Sequence, residues 1–442
     1  DKAIKLYERC TSNFPNHIFS KLNLSFLYYK LNNLKEAELL IEDAIKLKPS
    51  LPNGYCIKGL ILKNLNKYKE SKESLEKAIK IDPNYFDAYI NLGLLNKDFN
   101  NLDVAEKYYL KAIEINNKSA IAYLNLGACY REKANIDKAL FYTEHAIQLD
   151  EKLENSYLNL ATIYNQKGNQ LKSLSLAKKE LSINQDNELC YQLISEVIRK
   201  SGVLNLSNKE DRRIISNLLN RKDISHRELF GNINNIISNQ VLEKIITYSS
   251  VLYANEQFDI IIKDKELIKA LSLLIFCSPL WEKVLVKIRK NIILSYSEYK
   301  KKNKNILNFI IALGSQCFLN EYVFYVSNEE NYKLKEIKAS INNTNNNQDF
   351  ELAIISCYQS LISIDSEIID LKNYKSYNKD FNKLLNLQFN EIIMEKNISN
   401  EIKIKGKIND LISKKVKEQY ELNPYPRWRY NSYSKYNKLN FI

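Results

Sequence analysis

The sequence has little glycine, proline, histidine or methionine for its length. Its 442 residues include 9 Gly, 7 Pro, 3 His and one Met, Met394. So few turn-forming residues make collagen-like, Gly-linker and β-turn-rich architectures poor fits. His17, His145 and His226 lie too far apart for a zinc motif. No Ser/His/Asp set, phosphate-binding loop or metal signature is present, so we assign no catalytic and no metal-binding residue.

The sequence also lacks segments typical of a membrane or of an oxidising compartment. No run of 18 apolar residues exists, and the best candidate, residues 271–281, is too short to cross a bilayer. No apolar leader follows Asp1. The seven cysteines are scattered without a Cys-x-x-Cys pair, which is typical of reduced thiols. We expect a cytoplasmic protein and, since no initiator methionine is present, a processed product or a fragment of a longer chain.

The chain carries an excess of basic residues. Its 65 Lys and Arg against 52 Asp and Glu give a formal net charge of +13. Such a balance is compatible with nucleic acid, a membrane surface or an acidic protein as partner. We favour a solvated surface in a Lys- and Asn-rich sequence, and expect neither nucleic acid nor a membrane as partner.

Small residues recur every 34 positions in the first part of the chain, and this period predicts an internal repeat. The recurring small residues are Ser25, Gly59, Gly93, Gly127 and Ala161. From the second unit onward a tyrosine precedes each by four residues, and Ala or Ser follows each of the five by twelve. An aromatic and a small residue within one turn give a helix an apolar face that a second helix can approach closely. Such a hairpin cannot bury its own face, so the units must stack.

This pattern resembles the tetratricopeptide repeat over roughly residues 17–185. Residues 1–15 fit the second helix of an earlier unit, because Ala3 and Pro15 lie one period before Ala37 and Pro49. In the fifth unit Glu180 replaces the expected small residue, as in a degraded terminal unit that acts as a cap. We therefore predict a tetratricopeptide-repeat solenoid over residues 1–185, with half a repeat and about five full repeats.

A row of asparagines lies two residues before the small residues. It contains Asn23, Asn91, Asn125 and Asn159, and Ile57 interrupts it. The first helices are expected to line the concave side of the solenoid, where carboxamides can hold the backbone of an extended peptide. The row resembles the asparagine ladder of O-GlcNAc transferase repeats. Asparagine is also common at this position of the repeat, so plain repeat consensus is the competing interpretation.

A second row lies four residues after the small residues and contains Lys63, Lys97 and Arg131. These cations would border the same groove and favour an acidic partner. Asp98 and Glu132 are adjacent in sequence, so a solvated, charge-balanced rim is the interpretation that we favour. From both rows we predict a protein or an extended peptide as the partner.

Past residue 186 the 34-residue period is no longer evident, but apolar residues three and four apart still predict helices. We expect an irregular helical domain over 186–340, a polar Asn-rich loop over 341–348 and a helical continuation over 349–415. The predicted fold class is all-α: a repeat solenoid followed by an irregular helical bundle. Gln316, Asn320 and Glu321 lie at helical spacing and are expected to form a buried polar cluster, with a partner site as the alternative.

Two strings are distinctive. Residues 312–324 read Ala-Leu-Gly-Ser-Gln-Cys-Phe-Leu-Asn-Glu-Tyr-Val-Phe, and residues 416–428 read Val-Lys-Glu-Gln-Tyr-Glu-Leu-Asn-Pro-Tyr-Pro-Arg-Trp. Together they resemble a bacterial family of tetratricopeptide-repeat proteins with a C-terminal class I S-adenosylmethionine-dependent methyltransferase domain. Leu422 departs from the acidic residue usual there. The residues that carry the second signature are Gln419, Tyr420, Asn423, Pro424, Tyr425, Pro426, Arg427 and Trp428.

The resemblance implies that this chain is the non-catalytic, partner-recruiting front end of such a methyltransferase. In the family a Gly-rich cofactor loop follows the Pro-Tyr-Pro-Arg-Trp hinge, which falls within residues 416–442 here. The last glycine of this chain is Gly406, so we expect no cofactor in the chain itself and S-adenosylmethionine in the parent protein. Whether the parent is an enzyme stays open, with a stand-alone interaction scaffold and a repeat-fronted glycosyl- or sulfotransferase as the alternatives. The hinge could also be a purely structural seam.

Overall fold

The computed structural model describes residues 2–202, 204–252, 255–301, 304–341, 348–364 and 369–401. Every regular element within those ranges is a helix, and none is a β-strand. The all-α fold class predicted from the sequence is therefore confirmed. The chain divides into two compact units, Asp1–Ile194 and Ser195–Ile442.

The first unit is a row of helical hairpins that follows a single helix, α1. Each hairpin packs its two helices together, and the second helix of each of the first four also packs on the first helix of the next hairpin. This nearest-neighbour packing is that of a solenoid. The bounds are α1 Lys2–Asn13, α2 Ile18–Lys30, α3 Leu34–Leu47, α4 Pro52–Asn64, α5 Tyr68–Ile81, α6 Phe86–Asp98, α7 Leu102–Ile115, α8 Ala120–Glu132, α9 Ile136–Leu149, α10 Ser156–Gln166 and α11 Gln170–Ile183. The next helix, α12 Glu188–Ser201, includes the last residues of the first unit and the first residues of the second.

The small residues at the 34-residue period set the distance between the two helices of each hairpin. A methyl group added to Gly59 would lie 2.7 Å from Cγ of Leu75, and one added to Gly93 would lie 2.7 Å from Cδ1 of Tyr109. Distances this short leave no room for a side chain, because protein interiors are already close-packed. The structure thus confirms the role predicted for these glycines, which is to let the second helix of the hairpin approach closely.

A hydroxyl group bridges the close approach in three hairpins. In the second hairpin Ser71 Oγ donates to the carbonyl oxygen of Gly59 at 2.7 Å, and the fifth hairpin repeats this bond. In the first hairpin the roles are exchanged, since Ser25 Oγ on α2 donates to the carbonyl oxygen of Ala37 on α3 at 2.7 Å. The bond joins the same two positions of the repeat whichever helix carries the donor. A serine at either position is therefore enough to form it.

Left-handed backbone ends the first helix of every hairpin. The φ angles lie between 58° and 78° at positions that are 34 residues apart, namely Asn32, Asn66, Asn100, Ala134 and Gly168. Asparagine and glycine tolerate this conformation, whereas an alanine there is strained. Gly202, 34 residues after Gly168, has φ 59° and follows α12. The 34-residue register therefore extends beyond residue 186, where the sequence pattern fades. It includes α12 as the first helix of a further repeat.

Glu180 on α11 is fully buried, and its carboxylate caps the N-terminus of the preceding helix, α10. Its oxygens accept hydrogen bonds from the backbone N–H of Asn155 at 2.7 Å and of Leu158 at 3.3 Å. The side-chain amide of Asn187 donates a third bond at 3.3 Å. The side chain of Asn155, the N-cap residue of α10, makes no capping bond of its own. Glu180 thus supplies the missing acceptor at a helix N-terminus.

The second unit is an irregular assembly of shorter helices. Pro279 begins the long helix α18, as expected for a residue without a backbone N–H. The bounds are α13 Lys209–Leu218, α14 Phe230–Ile233, α15 Asn239–Thr247, α16 Glu256–Lys263, α17 Lys265–Leu271, α18 Pro279–Leu294, α19 Tyr296–Lys300, α20 Lys304–Leu319, α21 Asn328–Ala339, α22 Asp349–Ser356, α23 Lys379–Leu385 and α24 Glu391–Glu401.

A buried ion pair lies in the core of the second unit. Arg289 on α18 and Glu330 on α21 are 2% and 1% exposed, and the pair is 3.3 Å apart. Tyr358 Oη donates to Oε1 of Glu330 at 2.9 Å. Burial, first, and the Glu330 carboxylate raise the pKa of Tyr358 far above its ordinary value, with Arg289 acting in the opposite direction. Removing one partner would leave the other charge buried and uncompensated.

The string at residues 312–324 spans the end of α20 and the turn after it. Gln316 is fully buried, with its amide nitrogen 2.6 Å from the carbonyl oxygen of Leu274 and its amide oxygen 3.1 Å from the nitrogen of Phe276. Asn320 and Glu321 lie beyond the helix, where the backbone of Glu321 is left-handed. The expectation of one buried cluster is therefore wrong, because Gln316 is buried whereas Asn320 and Glu321 are only half-buried.

Only the two ends of the predicted polar loop, Ile341 and Gln348, lie within the described part of the chain, and both are buried. The helical continuation predicted over 349–415 is interrupted. Between α22 and α23 the described residues form turns and one 3₁₀ turn, Leu361–Ser363, instead of a continuous helix. The hinge string at 416–428 and its signature residues lie outside the described residues.

Candidate functional site

The first helices of the five hairpins each present one side that contains the asparagine row. Residues six and two positions before the small residue, and one and five after it, share a side of the helix because they are four, three and four apart. We call this side the ladder face. It consists of Phe19, Asn23, Phe26 and Lys30 on α2, Asn53, Ile57, Leu60 and Asn64 on α4, Asp87, Asn91, Leu94 and Asp98 on α6, Ile121, Asn125, Ala128 and Glu132 on α8, and Asn159, Thr162 and Gln166 on α10 with its N-cap residue Asn155.

Side-chain contacts join the ladder faces of neighbouring first helices. Lys63 Nζ on α4 lies 2.6 Å from Oδ2 of Asp98 on α6. Lys97 Nζ on α6 lies 3.2 Å from Oε1 of Glu132 on α8. Tyr29 on α2 and Asn64 on α4 hold the corresponding positions and lie close together. The same two repeat positions thus meet at the three junctions from α2 to α8, so these four ladder faces adjoin one another.

The predicted ladder asparagines differ in accessibility. Asn23 is exposed and its Nδ2 donates to Tyr7 Oη at 3.1 Å. Asn159 is only 6% exposed; its Nδ2 donates to Thr143 Oγ1 at 3.2 Å while its Oδ1 is buried without a partner. Both ends of the row are thus partly engaged within the repeats.

The two central asparagines are half-buried and keep free hydrogen-bonding capacity. Asn91 is half-buried, and its Nδ2 donates a weak bond to Cys56 Sγ at 3.3 Å. Burial raises the pKa of the Cys56 thiol to about 12, against the opposing effect of the Asn91 hydrogen bond, so the sulfur is a neutral acceptor. Asn125 is half-buried, and its carboxamide has no hydrogen-bond partner among the described residues. A ligand can therefore gain hydrogen bonds here without breaking strong ones.

The predicted basic row is ion-paired where it borders the ladder face. Lys63 and Lys97 form the ion pairs with Asp98 and Glu132 given above, and Arg131 Nη2 lies 3.7 Å from Oε1 of Glu132. Burial lowers the pKa of Arg131, and Glu132 acts in the opposite direction. The three cations share two carboxylates, so the row keeps a net charge of one for an acidic partner.

A cleft of about 390 Å³ lies beside the ladder face, at the turns of the first three hairpins. It is lined by Asn32, Lys63, Asn64, Asn66, Tyr68, Asp98 and Phe99. The rings of Tyr68 and Phe99 meet edge to face at 4.8 Å, and Tyr68 Oη donates to Oδ1 of Asn66 at 2.7 Å. Sequence reasoning missed this feature. The available signal was asparagine at the 34-residue period between helices, a position that favours left-handed turns.

Metal-binding clusters and membrane-spanning helices are both absent from the described residues. No group of three or more His, Cys, Asp or Glu side chains is arranged there to hold a metal ion. None of the helices in the described ranges is long and apolar enough to cross a membrane.

Sequence comparison identifies the repeats directly. Residues 20–51, 52–85 and 86–119 match one profile of the tetratricopeptide repeat, and residues 108–141 match a second. The chain therefore carries tetratricopeptide repeats over residues 20–141, which confirms that part of the predicted array. Neither profile bears on the resemblance to methyltransferases. A search of curated proteins found no match.

Several solved structures resemble the chain over less than half its length. TTC0263, a thermophilic TPR protein of Thermus thermophilus, is 19% identical with a TM-score of 0.38, covering 41% of this chain and 98% of its own. PilF of Pseudomonas aeruginosa is 14% identical with a TM-score of 0.40, covering 46% and 90%. YrrB, a TPR protein with an unusual peptide-binding site, is 22% identical with a TM-score of 0.32, covering 42% and 96%.

Proposed function

We propose that the first unit binds an extended peptide segment of a protein partner along the ladder face. The observation that carries this proposal is the central pair Asn91 and Asn125, whose carboxamides lie in one row with unused hydrogen-bonding capacity. A carboxamide offers both a donor and an acceptor, which matches the N–H and C=O groups of a peptide backbone. The ion-paired rim adds no strong demand for charge, so recognition rests on the backbone and on uncharged side chains.

The size of the effect follows from single hydrogen bonds. Each carboxamide bond to a peptide backbone contributes about 1 kcal/mol net, because water is displaced from both partners. That corresponds to roughly a fivefold change in Kd for each asparagine. Replacing both Asn91 and Asn125 by alanine should therefore weaken binding by about 25-fold.

The test selects 15-residue peptides from a random phage-displayed library on the full chain and measures Kd by fluorescence anisotropy. We expect the selected peptides to lose affinity with Asn91→Ala and Asn125→Ala. The matched control is Asn117→Ala, an exposed asparagine between α7 and α8 and away from the row. Equal Kd values for the control and the ladder variants would overturn the proposal, as would a library that yields no binder.

We further propose that this recruiting unit serves an S-adenosylmethionine-dependent methyltransferase. Support comes from the strings at 312–324 and 416–428, the second of which lies outside the described residues. S-adenosylmethionine would supply an electrophilic methyl group. The described residues contain no strand followed by a Gly-rich loop, and we assign none of them to methyl transfer.

Methyl transfer by the natural full-length product decides between this role and a stand-alone scaffold. We expect the product to bind S-adenosylmethionine in calorimetry and to transfer a tritiated methyl group to a selected peptide or its parent protein. The ladder variants should lower methylation of that substrate at limiting concentration while cofactor affinity stays unchanged. A full-length product that binds no S-adenosylmethionine would leave the scaffold and remove the enzyme.

A further inference from the structure

The ladder face is aromatic at one end. On α2 it presents two phenylalanines, Phe19 and Phe26, which are 64% and 37% exposed and lie on either side of Asn23. The equivalent pairs of the next four hairpins contain no aromatic residue. They are Asn53 and Leu60, Asp87 and Leu94, Ile121 and Ala128, and Asn155 and Thr162.

The aromatic end is organised by contacts around Phe26. Its ring stacks on Tyr29 with centroids 6.0 Å apart, and the amine of Lys30 lies 5.2 Å from the Phe26 centroid. Tyr29 is half-buried beside Asn64, and burial raises its pKa against the opposing effect of Asn64, so it is a neutral packing partner. An exposed aromatic surface held in one orientation is what an apolar side chain of a partner requires, because little ordering remains to be done on binding.

The spacing of the helices sets how many peptide residues lie between the aromatic end of the ladder face and its central asparagines. Packed helices are about 8–10 Å apart, and an extended or polyproline II chain rises about 3.1–3.4 Å per residue. About three peptide residues therefore span one repeat. Asn91 lies two repeats beyond Phe26, and Asn125 lies three repeats beyond it. A peptide anchored at Phe26 would reach Asn125 about nine residues further along.

We propose that the partner is an extended, largely uncharged peptide that anchors one Phe or Leu side chain on Phe19 and Phe26 and lays its polar remainder over Asn91 and Asn125. This inference rests on the proposed function, and it adds the chemistry and the register of the ligand. Charge agrees with it, since Lys63, Lys97 and Arg131 share Asp98 and Glu132 and leave a net of only one positive charge along the rim. Aromatic anchors supply most of the energy at many interfaces, whereas the carboxamides set register.

The experiment uses the full chain and fluorescently labelled 15-residue peptides of Ala, Ser, Thr and Gln. One peptide carries a Phe near its N-terminus, one carries it near its C-terminus, and one has none. We expect one of the Phe peptides to bind at least about tenfold tighter than the peptide without Phe. Phe26→Ala should remove that advantage, and so should Phe19→Ala in part.

The control variant is Phe141→Ala, because Phe141 is 64% exposed but lies on the second helix α9. Loss of the advantage in Phe26→Ala and its retention in Phe141→Ala support the proposal. An unchanged advantage in Phe26→Ala, with weakened binding in Asn125→Ala, overturns the anchor and leaves the peptide-binding function standing. Binding that is indifferent to Phe26 and to Asn125 alike, or no binding of any peptide up to about 1 mM, overturns both.

Discussion

Replacing Glu180 by alanine restores the residue type of the other repeats, yet we expect it to destabilise the fifth hairpin. Alanine is fully buried at the equivalent positions Ala44, Ala78, Ala112 and Ala146, so the substitution causes no steric conflict. What is lost is the carboxylate that accepts from the backbone of Asn155 and Leu158 and from the side chain of Asn187. The prediction thus separates a capping role from mere degeneration of the repeat.

The magnitude follows from those three bonds. A hydrogen bond to a charged group contributes about 1.5–3 kcal/mol, and a helix N-cap about 0.5–2 kcal/mol. The bond of 2.7 Å to Asn155 counts most, and the two at 3.3 Å count less. Removing a buried carboxylate also returns part of its desolvation cost. We expect a net loss of about 2–3 kcal/mol, confined to this hairpin and its neighbours because repeats interact only with adjacent units.

Hydrogen exchange of the full chain, followed by mass spectrometry, measures this loss locally. Amides of α10 should exchange about 30- to 150-fold faster in Glu180→Ala than in the parent chain. Glu180→Gln keeps an acceptor and should fall between the two. Glu144→Ala, at an exposed glutamate on α9, is the control and should leave α10 unchanged. Exchange in α10 that is equal or slower in Glu180→Ala would refute the capping argument.

Two further predictions concern the backbone and the helix contact. Ala134→Gly should raise the free energy of unfolding by about 0.5–1 kcal/mol, because φ is 58° there, whereas Ala139→Gly inside α9 should lower it by about 1 kcal/mol. Urea denaturation followed by circular dichroism distinguishes them, and equal signs would contradict a strained turn. Gly93→Ala should lower the stability by about 1–3 kcal/mol, since the methyl group would lie 2.7 Å from Cδ1 of Tyr109 and closer still to Cε1. A stabilised Gly93→Ala chain would show that the helices do not approach so closely.

The 34-residue period was enough to predict the hairpins because each small residue has a steric consequence. Gly59 and Gly93 recur at a fixed interval, and a fixed interval on helices implies a repeated contact. The turn residues carry the same period, but the asparagines of the first three hairpins give way to Ala134 and Gly168, and all five share a left-handed backbone. A pattern of residue types therefore follows only the first three turns, whereas the φ angles show all five.

Other features depend on contacts between residues distant in the sequence. A glutamate in place of alanine looks like decay of a repeat until Asn155 and Leu158 are seen to donate to Glu180. The sequence of the second unit has no repeat period. The pairing of Arg289 with Glu330 could therefore not be predicted from two charged residues 41 positions apart. The asparagine row was visible in the sequence, but which members have unused bonding capacity was not, because burial decides it.

The ion pairs along the ladder face bear on how such an array can gain a repeat by duplication or lose one by deletion. Lys63 meets Asp98 at one junction and Lys97 meets Glu132 at the next, so both junctions use the same order of charges. Loss of the unit that contains α6 and α7 would bring Lys63 opposite Glu132, and a duplicated copy would repeat a compatible pair. Duplication or deletion of a whole central repeat thus keeps a lysine opposite a carboxylate at each junction. A point mutation of one partner at a junction does not.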